Sequence, residues 1–186
     1  MKQHIFPAVR LTILTLVFFS GIYTLVVLGI AKVFPNQGKG EIIEQNGKRY
    51  YANVGQSFTD DKYFNSRPSA VGYNAAGSGG SNKGASNEEY LGVVQARVDT
   101  FLLHNPGIQK SQIPVELVTA SGSGLDPDIS SKAALVQVNR IARIRQIPAQ
   151  KLEALVNEST QQPLLGLFGP EKINVLALNM ALDNLK

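Results

Sequence analysis

The chain has no cysteine and no tryptophan, and only two histidines among its 186 residues. Without cysteine there can be no disulfide, no thiolate nucleophile and no cysteine-based zinc site. The two histidines, His4 and His104, are too few for a histidine-rich metal centre. Charge is also sparse: Lys and Arg number 18 against 14 Asp and Glu, a formal net charge of +4. No run of five or more basic residues occurs, which argues against a nucleic-acid partner. With 44% hydrophobic residues the chain is not compositionally disordered.

What is present begins with one long uncharged run. Leu11–Ala31, "LTILTLVFFSGIYTLVVLGIA", holds no charged side chain over 21 positions. As a helix it extends roughly 31 Å, about the thickness of a bilayer's hydrocarbon core. Its hydroxyls (Thr12, Thr15, Ser20, Tyr23, Thr24) can bond back to the helix backbone, and Pro7 and Pro35 flank the run without breaking it. The rival reading is a cleaved secretory signal, with Lys2 and Arg10 as its basic end and Gly29 and Ala31 at peptidase spacing. Signal cores run only about 7–15 residues, so length favours a retained anchor. The expected layout is a short N-terminus over 1–10, a transmembrane helix over 11–34 and a soluble mixed α/β domain over 35–186. Lys32, Lys39, Lys48 and Arg49 follow the run as Lys2 and Arg10 precede it, so charge alone leaves the orientation open.

In the soluble part, "EIIEQNGKRYYANV" sets Asn46-Gly47 between two β-prone runs, a hairpin signal because both turn positions need positive φ. A glycine- and serine-rich loop of about two dozen residues follows, "NSRPSAVGYNAAGSGGSNKGASN"; a loop that long is functional or disordered. Ser86 and Glu89 form a capping box for a helix whose apolar face is Leu91, Val94, Val98, Phe101 and Leu102, ended by Asn105-Pro106-Gly107. The alternation of Ile113–Ala120 predicts a buried strand, and "SGSGLDPD" a turn. Ser130 or Ser131 then caps one helix through "KAALVQVNRIARIRQ", with Leu135, Val138 and Ile141 or Ala142 as its stripe. "AQKLEALVNES" reads as a short helix and "INVLALNMALDNL" as a strand turning into a helix.

The run "SGGSNKGASN" (Ser78–Asn87) invites a phosphate-cradle reading, but Gly-Lys-Ser/Thr and Gly-x-Gly-x-x-Gly are both missing. Glu88 and Glu89 also put negative charge where an anion would sit. No serine stands in a nucleophile-elbow or Ser-x-x-Lys pattern. His104 reads as a solvated cation at a helix C-terminus, Asp126 and Asp128 as turn and cap residues, and Arg140, Arg143 and Arg145 as a solvated helix face. From the residues alone this is a membrane-anchored domain with no active site, no metal site and no cofactor of its own.

Five segments in order carry a resemblance: "YFNSRPSA" (Tyr63–Ala70), "SGGSNKGASN", "IPVELVTASGSGLDPDIS" (Ile113–Ser130), "AALVQVNRIARIR" (Ala133–Arg145) and "INVLALNMAL" (Ile173–Leu182). With the N-terminal span they resemble the KdpC family, a subunit of the Kdp-type potassium-transporting ATPase, over nearly the whole chain; Asp128 stands where relatives often carry another polar residue. The resemblance implies a non-catalytic subunit of a bacterial inner-membrane pump, the N-terminus cytoplasmic and the soluble domain extracytoplasmic. Its implied partners are a channel-like potassium-translocating subunit, a P-type ATPase subunit and a very small third subunit, besides the lipid bilayer. ATP and potassium would be handled by the complex. Two roles follow: a cap that stabilises assembly over the channel-like subunit, or a catalytic chaperone that raises ATP affinity, with Gln137 of "AALVQ" contacting nucleotide. A domain outside the membrane cannot touch cytoplasmic ATP, so the second role would need coupling through the membrane. Arg67 and Ser69 would pin the loop or the interface, while Ser78, Ser81, Asn82 and Asn87 bond to backbone or partner. The rival classes are an anchored extracytoplasmic serine hydrolase and a small-ligand-binding domain.

Overall fold

The structure, a computed structural model, describes residues 2–45 and 47–185, without the side chain of Lys2. Two compact units divide the chain, Met1–Ile42 and Ile43–Lys186. The first contains helix α1 (Lys2–Leu16), a wider π-helical turn (Val17–Tyr23) and α2 (Thr24–Val33). Together Gln3–Val33 make a 31-residue helix, long and apolar enough to cross a membrane, with none of its apolar window buried. It begins earlier than expected: Pro7 lies inside α1, not ahead of it. Two hydroxyls do bond back, Thr15 to the carbonyls of Leu11 and Thr12, and Thr24 to that of Phe19 five residues before it, a spacing that matches the π-helical turn.

The second unit mixes helices with very short strands. Strands β1 (Ile42–Gln45) and β2 (Lys48–Tyr51) form the expected hairpin; Asn46 of its turn lies outside the described residues, and Gly47 takes φ +73°. Then no regular element occurs until α3 (Glu88–His104). Asn87, not Ser86, caps α3, its side chain accepting the Tyr90 amide. Two 3₁₀ turns follow, Lys110–Gln112 and Val115–Leu117. The strand expected over Ile113–Ala120 is therefore absent. Leu117 and Val118 are both buried while Val115 is 71% exposed, a pattern period two cannot produce, and the Leu117, Val118 and Thr119 amides bond to carbonyls three or four residues back.

Strand β3 (Asp128–Ile129), read from sequence as turn, pairs antiparallel with β4 (Ile173–Asn174), Ile129 opposite Ile173. Ser130 caps α4 (Ser131–Leu135), and the single helix expected onward from there is broken at Val136–Gln137 before α5 (Val138–Arg145). There the Gln137 amide bonds to Ala134, three residues back, and the chain tightens. Helices α6 (Ala149–Ser159) and α7 (Val175–Asn184) stand where expected, β4 running straight into α7. Helices α4 and α5 both pack on α6, which also packs on α7. Ala133, Ala134, Val138, Ile141, Leu152, Val156, Ile173, Leu178 and Leu182 close the core, joined by Phe64 from the long loop. Phe64 is fully buried, which contributes about 1.5–3 kcal/mol.

Candidate functional site

Phe64 reaches the core because its backbone finds substitutes for a sheet partner. Its amide donates to Asn179 Oδ1 at 2.8 Å and its carbonyl accepts from Asn179 Nδ2 at 2.9 Å. One turn of α7 thereby does for the loop what a neighbouring strand would do.

Next to it lies the densest polar cluster. Arg140 is 2% exposed and its guanidinium donates to six oxygens: Asn105 Oδ1 from Nε, Asp61 O and Oδ1 from Nη1, and Tyr63 O, Asn65 Oδ1 and Gln137 Oε1 from Nη2. The contacts span 2.7–3.1 Å. Burial pulls the guanidinium pKa down and Asp61 opposes it. The solvated face expected of Arg140 is thus a buried hub that sews the loop to α3 and α5. Arg145 is paired too, at 2.6 Å from Asp183. His104, expected as a free helix-end cation, holds Asp61 Oδ2 at 2.7 Å through Nδ1.

Gln137 belongs to this cluster. It is fully buried, its Oε1 accepting from Asn65 N and Arg140 and its Nε2 donating to Ala133 O. Its amide is thereby committed inside the fold.

Arg67, Ser69 and Ser78 meet a second focus, the turn at 121–126. Arg67 Nη1 pairs with Asp126 Oδ2 at 2.7 Å, and the Arg67 carbonyl accepts the Tyr73 hydroxyl. Burial pushes the Tyr73 phenol up from its ordinary pKa. Ser69 Oγ donates to Gly124 O at 2.6 Å and accepts the Val71 and Tyr73 amides. Ser78 Oγ and the Gly79 amide both reach Ser123 O. Gly124, at φ +68°, leaves no room for a side chain: a Cβ there would lie 2.7 Å from Gly79 O and 2.6 Å from Val71 Cγ2. The loop is hence seated on this turn by glycine-to-glycine contact.

The other loop residues sit apart from that seat. Ser81 is half-buried against Tyr90, whose phenol is held below its ordinary pKa first by the Ala120 amide and then by the Ser81 hydroxyl. Asn82 is exposed at φ +53°, and Asn87 serves as the α3 cap. Lys83 pairs with Glu89. Asp126 and Asp128 are engaged by Arg67 and Lys172 respectively.

Sequence reasoning missed Arg140, Asp61, Asn65, Asn105 and Asn179 as a structural set. One signal was available: Gln137 and Arg140, three apart, share a helix face, and Ile141 beside them carries the apolar stripe. Among the described residues no serine hydroxyl bonds to His104, and no cluster of three or more His, Asp or Glu is placed to hold a metal. A groove of about 480 Å³ runs past Phe58, Val93, Phe101 and Leu117 to Arg97 and His104.

Fold and site together define a mixed helix–strand domain joined to one membrane-length helix, the domain's buried polar side chains gathered around Arg140. The chain belongs to the KdpC family, described as "K+-transporting ATPase, c chain", which matches residues 5–184. It is 54% identical over 185 residues to the potassium-transporting ATPase KdpC subunit of Flavobacterium johnsoniae, covering 99% of this chain and 100% of that one. Identity to the protein of the same name from Flavobacterium psychrophilum is 52% over 185 residues, with the same coverage. For that from Bacteroides fragilis it is 48% over 188 residues, 99% of this chain and 98% of the relative.

Proposed function

We propose that this chain is the accessory KdpC-type component of a potassium-transporting ATPase, without catalysis of its own. In this reading the helix Gln3–Val33 anchors it in the bacterial inner membrane, N-terminus cytoplasmic, and the domain from Ile43 onward stands outside. That domain docks on the channel-like subunit and stabilises its assembly with the P-type ATPase subunit and the very small third subunit. ATP and potassium are handled by those partners. Any rise in ATP affinity travels as a coupling free energy through the complex, and Gln137 serves it by positioning Arg140 and Asn65 rather than by touching nucleotide.

The observation that carries the docking role is the loop Ser78–Asn87. Its base is fixed to Ser123 and Gly124, while Asn82 is exposed with its amide bonded to nothing among the described residues. A loop fixed at its base presents that idle amide at lower entropic cost than a free segment would. Asn82→Gly tests it, because glycine keeps the positive φ and removes the side chain, and hydrogen exchange over 78–87 reads whether the freer backbone has loosened the loop. The full chain, tagged at its C-terminus and extracted in mild detergent, is expected to co-purify with a P-type ATPase and a channel-like protein. Potassium-stimulated ATP hydrolysis should accompany them, and Asn82→Gly should retain several-fold less partner. A chain recovered alone from cells that express the pump would overturn the reading.

A further inference from the structure

The groove between α3 and the stretch 58–65 has a volume of about 480 Å³, within the roughly 300–1,000 Å³ of small-molecule sites. Its walls are apolar: Phe58 from the loop, Val93 and Phe101 from α3, and Leu117 from the second 3₁₀ turn. Most polar groups along it are already used. Asn65 and Asn105 each accept from Arg140 on the amide oxygen and donate from the amide nitrogen, to Phe58 O and Phe101 O respectively. The Thr100 hydroxyl donates to Ala96 O, and Asp61 is held by Arg140 and His104.

Arg97 is the exception. Of the arginines that are buried or half-buried, Arg67, Arg140 and Arg145 each hold a carboxylate. Arg97 is half-buried too and lines the groove, yet it pairs with no carboxylate among the described residues. Its guanidinium bonds the Val118 carbonyl at 3.2 Å and reaches the Tyr90 hydroxyl, and it carries more N–H donors than those two contacts use. A cation withdrawn from water beside apolar walls calls for an anion with an apolar body.

We propose that this groove binds a small apolar carboxylate, its body against Phe58, Val93 and Leu117 and its carboxylate on Arg97. A guanidinium matches one carboxylate by two parallel N–H···O bonds. A polyphosphate is a poor fit, because Arg97 and His104 are the basic residues along the groove and His104 is taken by Asp61. A bound ligand would rest on Asp61, Asn65 and Asn105, the same residues that Arg140 ties together. Its binding should therefore stabilise the seat of the long loop. The inference goes beyond the pump-subunit reading and rests on the domain's own geometry.

Because the chain has no tryptophan, the fluorescence of an indole ligand is its own. The full chain in dodecyl maltoside is titrated against indole-3-propionate and against its uncharged amide, with chain-free micelles as the blank. The acid should show a saturable rise in anisotropy, and the amide about tenfold weaker binding. Arg97→Gln should bring the acid down to the level of the amide. Since Arg97 also bonds Val118, a second variant leaves that contact's residues in place. Val93→Asp, at a position 42% exposed, sets a carboxylate four residues from Arg97 that competes with the ligand for the guanidinium. It should weaken the acid about as much, while Leu103→Asp, 78% exposed and outside the groove, should change nothing. Equal affinity for acid and amide, or an acid affinity that ignores both groove variants, would overturn the proposal. So would the absence of saturable binding by the acid. If Val93→Asp left the acid's binding intact but stripped co-purifying protein from the chain, the groove would be a protein contact and the proposal would fall.

Discussion

At the scale of single residues, Arg140 has the largest consequences. Its guanidinium is nearly sealed from water, yet all its N–H groups find oxygens on the loop, α3 and α5. Removing the cation leaves the buried Asn105 and Gln137 short of a donor in a place where water cannot replace it, and takes the ion pair from the half-buried Asp61. Arg140→Met should therefore destabilise the full chain by about 3–5 kcal/mol, as breaking a buried pair does. Arg140→Lys should recover only part of that, since an ammonium cannot fork to six acceptors. Urea unfolding in mild detergent reads both; a Met variant within about 0.5 kcal/mol of the parent, the range of ordinary surface changes, would refute the hub. Asp61→Asn should cost less, because Asp61 is 38% exposed on its side chain and an amide oxygen still accepts.

Among elements, the unusual one is the long irregular stretch between β2 and α3. It carries Phe64 into the core, holds Arg67 against Asp126 and rests Gly79 on Gly124. Its order comes from side chains standing in for a sheet partner, as Asn179 does for Phe64. Gly124→Ala should break the seat. The left-handed backbone costs an alanine roughly 1–2 kcal/mol, and overpacking against the Gly79 carbonyl adds about 1–3 kcal/mol. Gly84→Ala, whose Cβ would meet nothing within 4 Å, should stay within about 0.5 kcal/mol. Hydrogen exchange over 78–87 is the measurement: protection should fall in the Gly124 variant and hold in the Gly84 variant. Equal protection in both would show that the loop is ordered from elsewhere.

For the whole molecule, the division at Ile42 separates two kinds of folding problem. The first unit satisfies its backbone within one helix and turns an apolar surface outward, as a bilayer requires. The second closes its own core around Phe64, Ile141, Leu152 and Leu178 and needs nothing from the first to do so. A fragment beginning at Ile43 should accordingly fold alone and unfold in one cooperative transition in urea. A gradual, non-cooperative loss of its helical circular dichroism would show that the domain depends on the N-terminal helix or on other chains.

Local chemistry was enough for the membrane-length helix, the β1–β2 hairpin, α3, α6 and the β4–α7 junction. An uncharged run, a two-residue turn, a helix stop and helical apolar spacing are each short-range signals that water and backbone geometry enforce without distant help. The ordered segments were also enough to point to the family. The fate of Ile113–Ala120 was not legible: its alternation fits a strand, but a strand needs a neighbour, and the fold offers none, so Leu117 and Val118 are buried by coiling instead. Nor could spacing tell that Arg140 turns inward, because charge predicts exposure unless six oxygens from residues far away in sequence converge on it. The same holds for the loop, whose glycines read as freedom in the sequence. Only the tertiary structure, by bringing Gly79 and Gly124 within a side chain's width of each other, turned that freedom into a fit.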